Sequence, residues 1–129
     1  EQSQYGTLTL EQIKKNCLEK SKEFDIELEF KQSNIEGEIV NILQEIRKTH
    51  SGVIINAAGF SHTSVSIRDA LDILKIPVIE VHISNIYKRE DFRKKSLISD
   101  VVTGGIFGVG PNCYILAINA IYEIIKDGN

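Results

Sequence analysis

The sequence predicts an α/β fold built on a doubly wound parallel sheet in three layers, and three observations carry that expectation. Short apolar runs of strand length alternate along the chain with longer stretches whose apolar residues recur at helical spacing. Such alternation implies crossover connections, and therefore parallel strands covered on both faces. The 129 residues show no linker, repeat or low-complexity tract, so residues 1–129 read as one domain with one core.

The elements follow in order. Glu1 to Gly6 is polar and aperiodic, which predicts a loop over about residues 1–7. Thr9 with Gln12 forms a capping box and opens a helix with Leu10, Ile13, Cys17 and Phe24 along one stripe. Ile26, Leu28 and Phe30 alternate with Glu27, Glu29 and Lys31, the pattern of a half-exposed edge strand. Ser33 or Asn34 can cap a second helix, in which Ile35, Ile39, Ile42, Leu43 and Ile46 recur at helical spacing. A strand at Gly52 to Asn56 precedes a helix from about Ser64 to Leu74. Pro77 to Ile83 is β-branched on both faces and reads as a buried strand. Arg89 to Lys95 suggests a short charged helical turn, Val101 to Phe107 a strand, and Pro111 the first turn of a long closing helix. The count is four strands, with a helix before the first. In a flavodoxin-like sheet a central strand precedes that helix. The chain opens at Glu1 with neither an initiator Met nor a signal-peptide pattern. The expectation is therefore a first central strand upstream of Glu1.

Several function classes lose support at once. The net charge is −3, and basic residues are interspersed with acids, so no nucleic-acid footprint exists. No apolar run approaches the roughly 18 residues of a membrane span. Cys17 and Cys113 are far apart on helical segments, which predicts reduced packing residues in a cytoplasmic protein. The cysteines and His50, His62 and His82 lack metal-ligand spacing, so no metal is expected.

What remains is a polar rim. The runs Val53-Ile54-Ile55 and Pro77-Val78-Ile79 each end in polar residues, Asn56 to Ser64 and Glu80 to Asn85. Adjacent parallel strands would bring both to the carboxyl edge of the sheet, where open α/β folds bind ligands. Period-two geometry places Glu80, His82 and Ser84 on one side of their strand. A carboxylate there can fix the imidazole tautomer and hold it as a proton donor, although local hydrogen bonding alone would also satisfy a half-buried His. His62, Thr63 and Ser64 fit both ligand binding and the start of a helix, and Asn56 fits both a ligand contact and a turn. Arg89 and Arg93, four apart, would project from one face of a helix and could clamp an anion; a solvated charged turn explains them as well. The glycines from Gly104 to Gly110 match no phosphate-loop pattern and read as packing and turn geometry. Lys75 lacks the surroundings of a Schiff-base lysine. For Tyr5 to act as a base its pKa must fall from about 10 toward neutrality, which takes roughly 3–4 kcal/mol of cationic stabilisation.

Five ordered segments together resemble the type II 3-dehydroquinate dehydratases. They are Tyr5-Gly6-Thr7-Leu8-Thr9-Leu10, Gln32 to Glu38, Asn56 to Ala70, Pro77 to Asn85, and Arg89-Glu90-Asp91-Phe92-Arg93. The resemblance implies a cofactor-free hydro-lyase of the shikimate pathway, serving aromatic amino acid biosynthesis. It would convert 3-dehydroquinate to 3-dehydroshikimate through an enolate. On this resemblance Tyr5 is the lid base, His82 the general acid, Glu80 its orienting carboxylate, and Arg89 the cation that lowers the tyrosine pKa. Asn56 binds substrate; Ile83 and Ser84 receive its carboxylate; His62 and Arg93 bind its ring hydroxyls. Asp69 reaches a neighbouring subunit's site, because the family assembles trimers into a dodecamer.

Two features depart from the family pattern. Ala57-Ala58-Gly59 stands where Pro-Gly-Ala is common, leaving the backbone beside Asn56 open. A Pro-Asn-Leu-Asn loop and a lid arginine would precede Glu1. A module that binds a small anion without chemistry is the rival reading; affinity for the acid without formation of an enone would distinguish it.

Overall fold

A three-stranded parallel sheet is the middle layer of the computed structural model, which describes residues 8–128. Strands β1 (Val53–Ile55), β2 (Val78–His82) and β3 (Gly104–Phe107) lie in the order β1-β2-β3. Val53 faces Val78 across the first pair, and Glu80 faces Gly105 across the second. The central strand β2 is buried along its whole length, as its β-branched residues predict.

Helices α1 (Leu10–Glu23), α2 (Glu36–Ile46), α3 (Val65–Asp72), α4 (Asp91–Lys94) and α5 (Asn112–Asp127) surround the sheet. Thr9 and Gln12 complete the capping box of α1, each side chain accepting the other's backbone N–H. At α2 neither Ser33 nor Asn34 is the cap; Ile35 holds that position. Ser33 Oγ instead accepts the Ile35 N–H at 3.0 Å and donates to Glu38 at 2.5 Å, fixing the entry to the helix from outside it. Ser64 caps α3 by accepting the Ile67 N–H. That helix stops at Asp72, short of Leu74, since the chain must become extended before Pro77. Pro111 precedes α5 with φ −60°, its missing N–H costing the helix nothing.

Two packed faces sandwich the sheet. Leu43 and Ile46 of α2 and Ile67, Ala70 and Leu71 of α3 bury Ile55 and Val78 on one side. Cys113, Ala117 and Ile121 of α5 bury Ile79, Val81 and Ile83 on the other. Helix α1 packs on α5, where Phe24 stacks on Tyr122 with ring centroids 4.3 Å apart. Burial pushes the Cys113 thiol up to about 11 and raises Cys17 as well. Both therefore behave as inert packing groups rather than thiolates.

Two strand expectations need correction. Residues 26–30 form no strand: Ile26 and Leu28 are half-buried between exposed Glu27 and Glu29, but no strand lies alongside among the described residues. Alternation reports which side is covered, whereas a strand also needs a ladder partner. The segment is instead tethered by Glu29 to His50 at 3.0 Å. Strand β3 begins at Gly104 rather than Val101, because Thr103 ends the preceding turn. Its N–H donates to the Val78 carbonyl and its hydroxyl accepts the Val78 N–H, both at 2.9 Å.

Ile98, in the segment between α4 and β3, is 0% exposed and belongs to the core under α2 and α3. Ile98→Ala should cost about 2–4 kcal/mol of stability in urea titration, because the loop cannot collapse into the gap. A loss below about 1 kcal/mol would show that this residue does not anchor the loop.

Candidate functional site

The central strand sets the site by parity. Val78, Glu80 and His82 share the face toward α2 and α3, and only the first joins the apolar core. Beyond it Glu80 and His82 are 3% and 7% exposed. Their separation, Glu80 Oε2 to His82 Nε2, is 2.5 Å, a charge-assisted hydrogen bond. Glu80 Oε1 accepts from Ser99 Oγ at 2.7 Å. Burial pushes the Glu80 carboxyl up, but hydrogen bonds from His82 and Ser99, with the charges of His82 and His62, outweigh it and hold the group below its ordinary value. With Nε2 donating to Glu80, Nδ1 of His82 is the atom able to exchange a proton with a ligand.

Beside this pair lies a cavity of about 180 Å³, reached by Glu80, His82, Ser99, Tyr87, Gly105 and Phe107. Gly105 leaves this space open opposite Glu80. A Cβ there would lie 3.5 Å from the Glu80 carbonyl oxygen and 3.8 Å from its Oε1. Tyr87 packs edge-on against Phe107, centroids 5.0 Å apart, closing the far wall. Gly108 and Gly110, at φ +84° and +71°, turn the chain from β3 into α5, in keeping with the turn reading of that glycine run.

The end of β1 supplies Asn56, whose amide has one possible orientation. Its Oδ1 accepts the Ala58 N–H at 3.1 Å, a group that can only donate, and its Nδ2 donates to Tyr114 Oη at 2.9 Å. Burial raises the Tyr114 phenol pKa against the smaller opposing effect of Asn56, which keeps the acceptor a neutral hydroxyl. Ala58 has φ +50°, a left-handed conformation that a glycine would hold without strain. A 3-10 turn from Ala58–His62 then carries His62, whose Nδ1 lies 2.7 Å from the Lys95 carbonyl oxygen. Since a carbonyl only accepts, Nδ1 donates in either protonation state, and Nε2 accepts when the ring is neutral and donates when it is charged.

The remaining candidates are placed differently. Arg89 and Arg93 do not share a helix face: Arg89 is extended, with φ −102° and ψ −162°, and α4 begins only at Asp91. Arg93 Nε donates to Glu90 at 2.7 Å and its guanidinium lies 4.9 Å from the Phe92 ring centroid. Ser84 lies half-buried beyond the end of β2, and Ile83 is buried with its carbonyl accepting from Gly110 at 2.9 Å. Asp69 is exposed on α3. Tyr5 and the expected lid over about residues 1–7 lie outside the described residues. Ser99 carries no sequence signal, and Tyr114 reads only as part of the apolar face of the closing helix; they touch Glu80 and Asn56 from 19 and 58 residues away, and no local spacing announces that. Among the described residues no helix is long and apolar enough to cross a membrane, and no cluster of His, Cys, Asp and Glu could hold a metal.

The model of the family described as Dehydroquinase class II matches residues 1–122. A Campylobacter jejuni protein called 3-dehydroquinate dehydratase is 51% identical over 122 residues, covering 95% of this chain and 77% of its own length. One from Halothermothrix orenii is 47% identical over 125 residues, covering 97% and 84% respectively. Among solved structures, a type II dehydroquinase from Butyrivibrio crossotus superposes with a TM-score of 0.90 at 40% identity, over 94% of this chain and 85% of that one. Another, from Propionibacterium acnes, gives 0.86 at 36% identity, over 91% and 86%.

Two outcomes follow from this geometry. Ala58→Gly should stabilise the protein by roughly 0.5–1 kcal/mol in urea titration, the relief of left-handed backbone outweighing the entropy of glycine. Destabilisation would contradict a left-handed residue there. Glu80 titrates in the fold below its ordinary value of 4.5, so its contribution to stability is complete above that value and lost as pH falls through the folded one. Between pH 7 and 3 the urea midpoint of the wild type should fall more steeply than that of Glu80→Gln. Parallel profiles would mean that the pair adds nothing to acid sensitivity.

Proposed function

The chain belongs to the class II dehydroquinase family, and on that premise we propose that it is a 3-dehydroquinate dehydratase, a hydro-lyase that needs no cofactor. The observation that carries the reading is the buried Glu80–His82 pair beside a cavity at the carboxyl edge of the sheet. The reaction removes a proton from C2 of 3-dehydroquinate and the hydroxyl from C1, giving 3-dehydroshikimate. The C2 proton is only weakly acidic despite the adjacent ketone, so a positioned base and a means of holding the enolate are both required.

Tyr5, as its phenolate, takes the C2 proton, with Arg89 supplying the cationic field that lowers its pKa. His82 then protonates the departing C1 hydroxyl. Its suitability rests on the carboxylate behind it, which holds the ring through Nε2 and leaves Nδ1 as the atom that carries the proton. The second N–H of the Asn56 amide is the group free to meet a substrate oxygen, as its other polar atoms are committed. The Ile83–Ser84 backbone and the Ser84 hydroxyl receive the substrate carboxylate. His62, through Nε2, and Arg93 bind ring hydroxyls. Exposed Asp69 reaches the site of a neighbouring subunit in a dodecamer of trimers. The product would feed aromatic biosynthesis through the shikimate pathway.

The test is ultraviolet absorbance of the conjugated enone, using the complete polypeptide and 3-dehydroquinate. Wild-type protein should produce it. Tyr5→Phe and His82→Gln should each lose about a hundred- to ten-thousandfold in kcat, the scale of acid–base catalysis, while still binding substrate-like inhibitors. No enone from the wild type would sink the reading. Unimpaired Tyr5→Phe would reject that residue as the base.

A further inference from the structure

A carboxylate has two oxygens, and proton transfer through His82 accounts for only one of them. Glu80 Oε2 meets the imidazole at 2.5 Å, while Oε1 is held by Ser99 Oγ at 2.7 Å. Ser99 lies in neither helix nor strand, yet its loop is fixed from several directions. Ser96 Oγ accepts the backbone N–H groups of Ile98 and Ser99 at 3.1 and 3.0 Å. The Leu97 N–H donates to the Ser61 carbonyl at 2.7 Å. Arg68 donates from α3 to the Leu97 carbonyl at 2.9 Å and to Asp100 at 2.5 Å. Ile98, between them, is fully buried. This is more fastening than a surface connection of its length requires, and all of it converges on the residue that touches Glu80.

We propose that Ser99 is a positioning residue for the acid: it holds Oε1 so that Oε2 meets His82, and keeps the carboxylate charged, so that the proton shared by the pair rests on the imidazole. The purpose of that proton rests on the dehydratase reading; its location does not. The physical reason is competition. A buried carboxylate with a single hydrogen bond is a strong base, and at 2.5 Å it can take the proton and leave a neutral, neutral pair. A second donor stabilises only the charged carboxylate, which tips the proton back to His82. The other titratable groups acting on Glu80 are His82 on its own strand and His62 on the turn after β1, whose positive charge would work in the same direction.

The test compares wild type, Ser99→Ala and Ser99→Thr, which keeps the hydroxyl. In protein labelled with nitrogen-15 histidine, the His82 resonances are assigned by their loss in His82→Gln. At the pH of the assay Ser99→Ala should shift them from their wild-type positions toward the neutral pattern. Its kcat on 3-dehydroquinate should fall about tenfold, the low end for a hydrogen bond to a charge because water can enter from the cavity. KM should stay within about twofold, and Ser99→Thr should restore both readouts. His82 resonances unchanged in Ser99→Ala overturn the proposal, even if kcat falls, since the loss would then be structural. A full shift in protein whose wild type makes no enone keeps the proposal and sinks the dehydratase reading instead.

Discussion

Keeping Glu80 ionised inside the protein is the constraint from which the rest of the site follows. A carboxylate taken almost wholly out of water loses hydration worth several kcal/mol, and only close, well-directed partners offset that. One partner is two residues along the same strand, where the pleat delivers it without any help from tertiary structure. The other comes from a loop outside helix and strand, held by Ser96 within it, by Arg68 of α3 and by Ile98 in the core beneath. The apolar packing of this face therefore acts on the chemistry. A core that let the loop drift would expose the carboxylate to water or leave one oxygen bare.

The same logic explains why the polar groups gather at one edge of the sheet. The three parallel strands all run toward that edge, and each apolar run stops as it emerges from between the helix layers. Asn56 appears where burial gives out after β1, and His82 closes β2 one residue before the last buried position of that run, Ile83. Their orientations are fixed by partners that permit one arrangement each: a backbone N–H for Asn56, a carbonyl for His62, a carboxylate for His82. A site whose dipoles are set before any ligand arrives needs little reorganisation when charge moves.

What the sequence discloses depends on how local each cause is. The capping box at Thr9, the buried character of residues 78–82 and the Glu80–His82 spacing all have causes within a few residues, and each is legible. The family is legible as well, because its segments keep their order and intervals. Where the cause lies elsewhere in the chain, local reading fails. Residues 26–30 alternate correctly but find no neighbouring strand among the described residues. Arg89 and Arg93 have helical spacing but no helix spanning both, since Glu90 at ψ 153° interrupts the turn. Ser99 is out of reach by construction: nothing around it in sequence points to a strand 19 residues earlier. The one hint nearby is Leu97-Ile98, an apolar pair between Ser96 and Ser99, of which Ile98 is fully buried.

The wall of bare peptide at Gly105 carries a last implication. Space bounded by side chains can be enlarged or reduced by rotating them, but space bounded by backbone has no such freedom. Any replacement of this glycine adds atoms next to the carboxylate, and none can remove any. The volume available there is already at its maximum, so variation among relatives at this position could only narrow the range of molecules admitted.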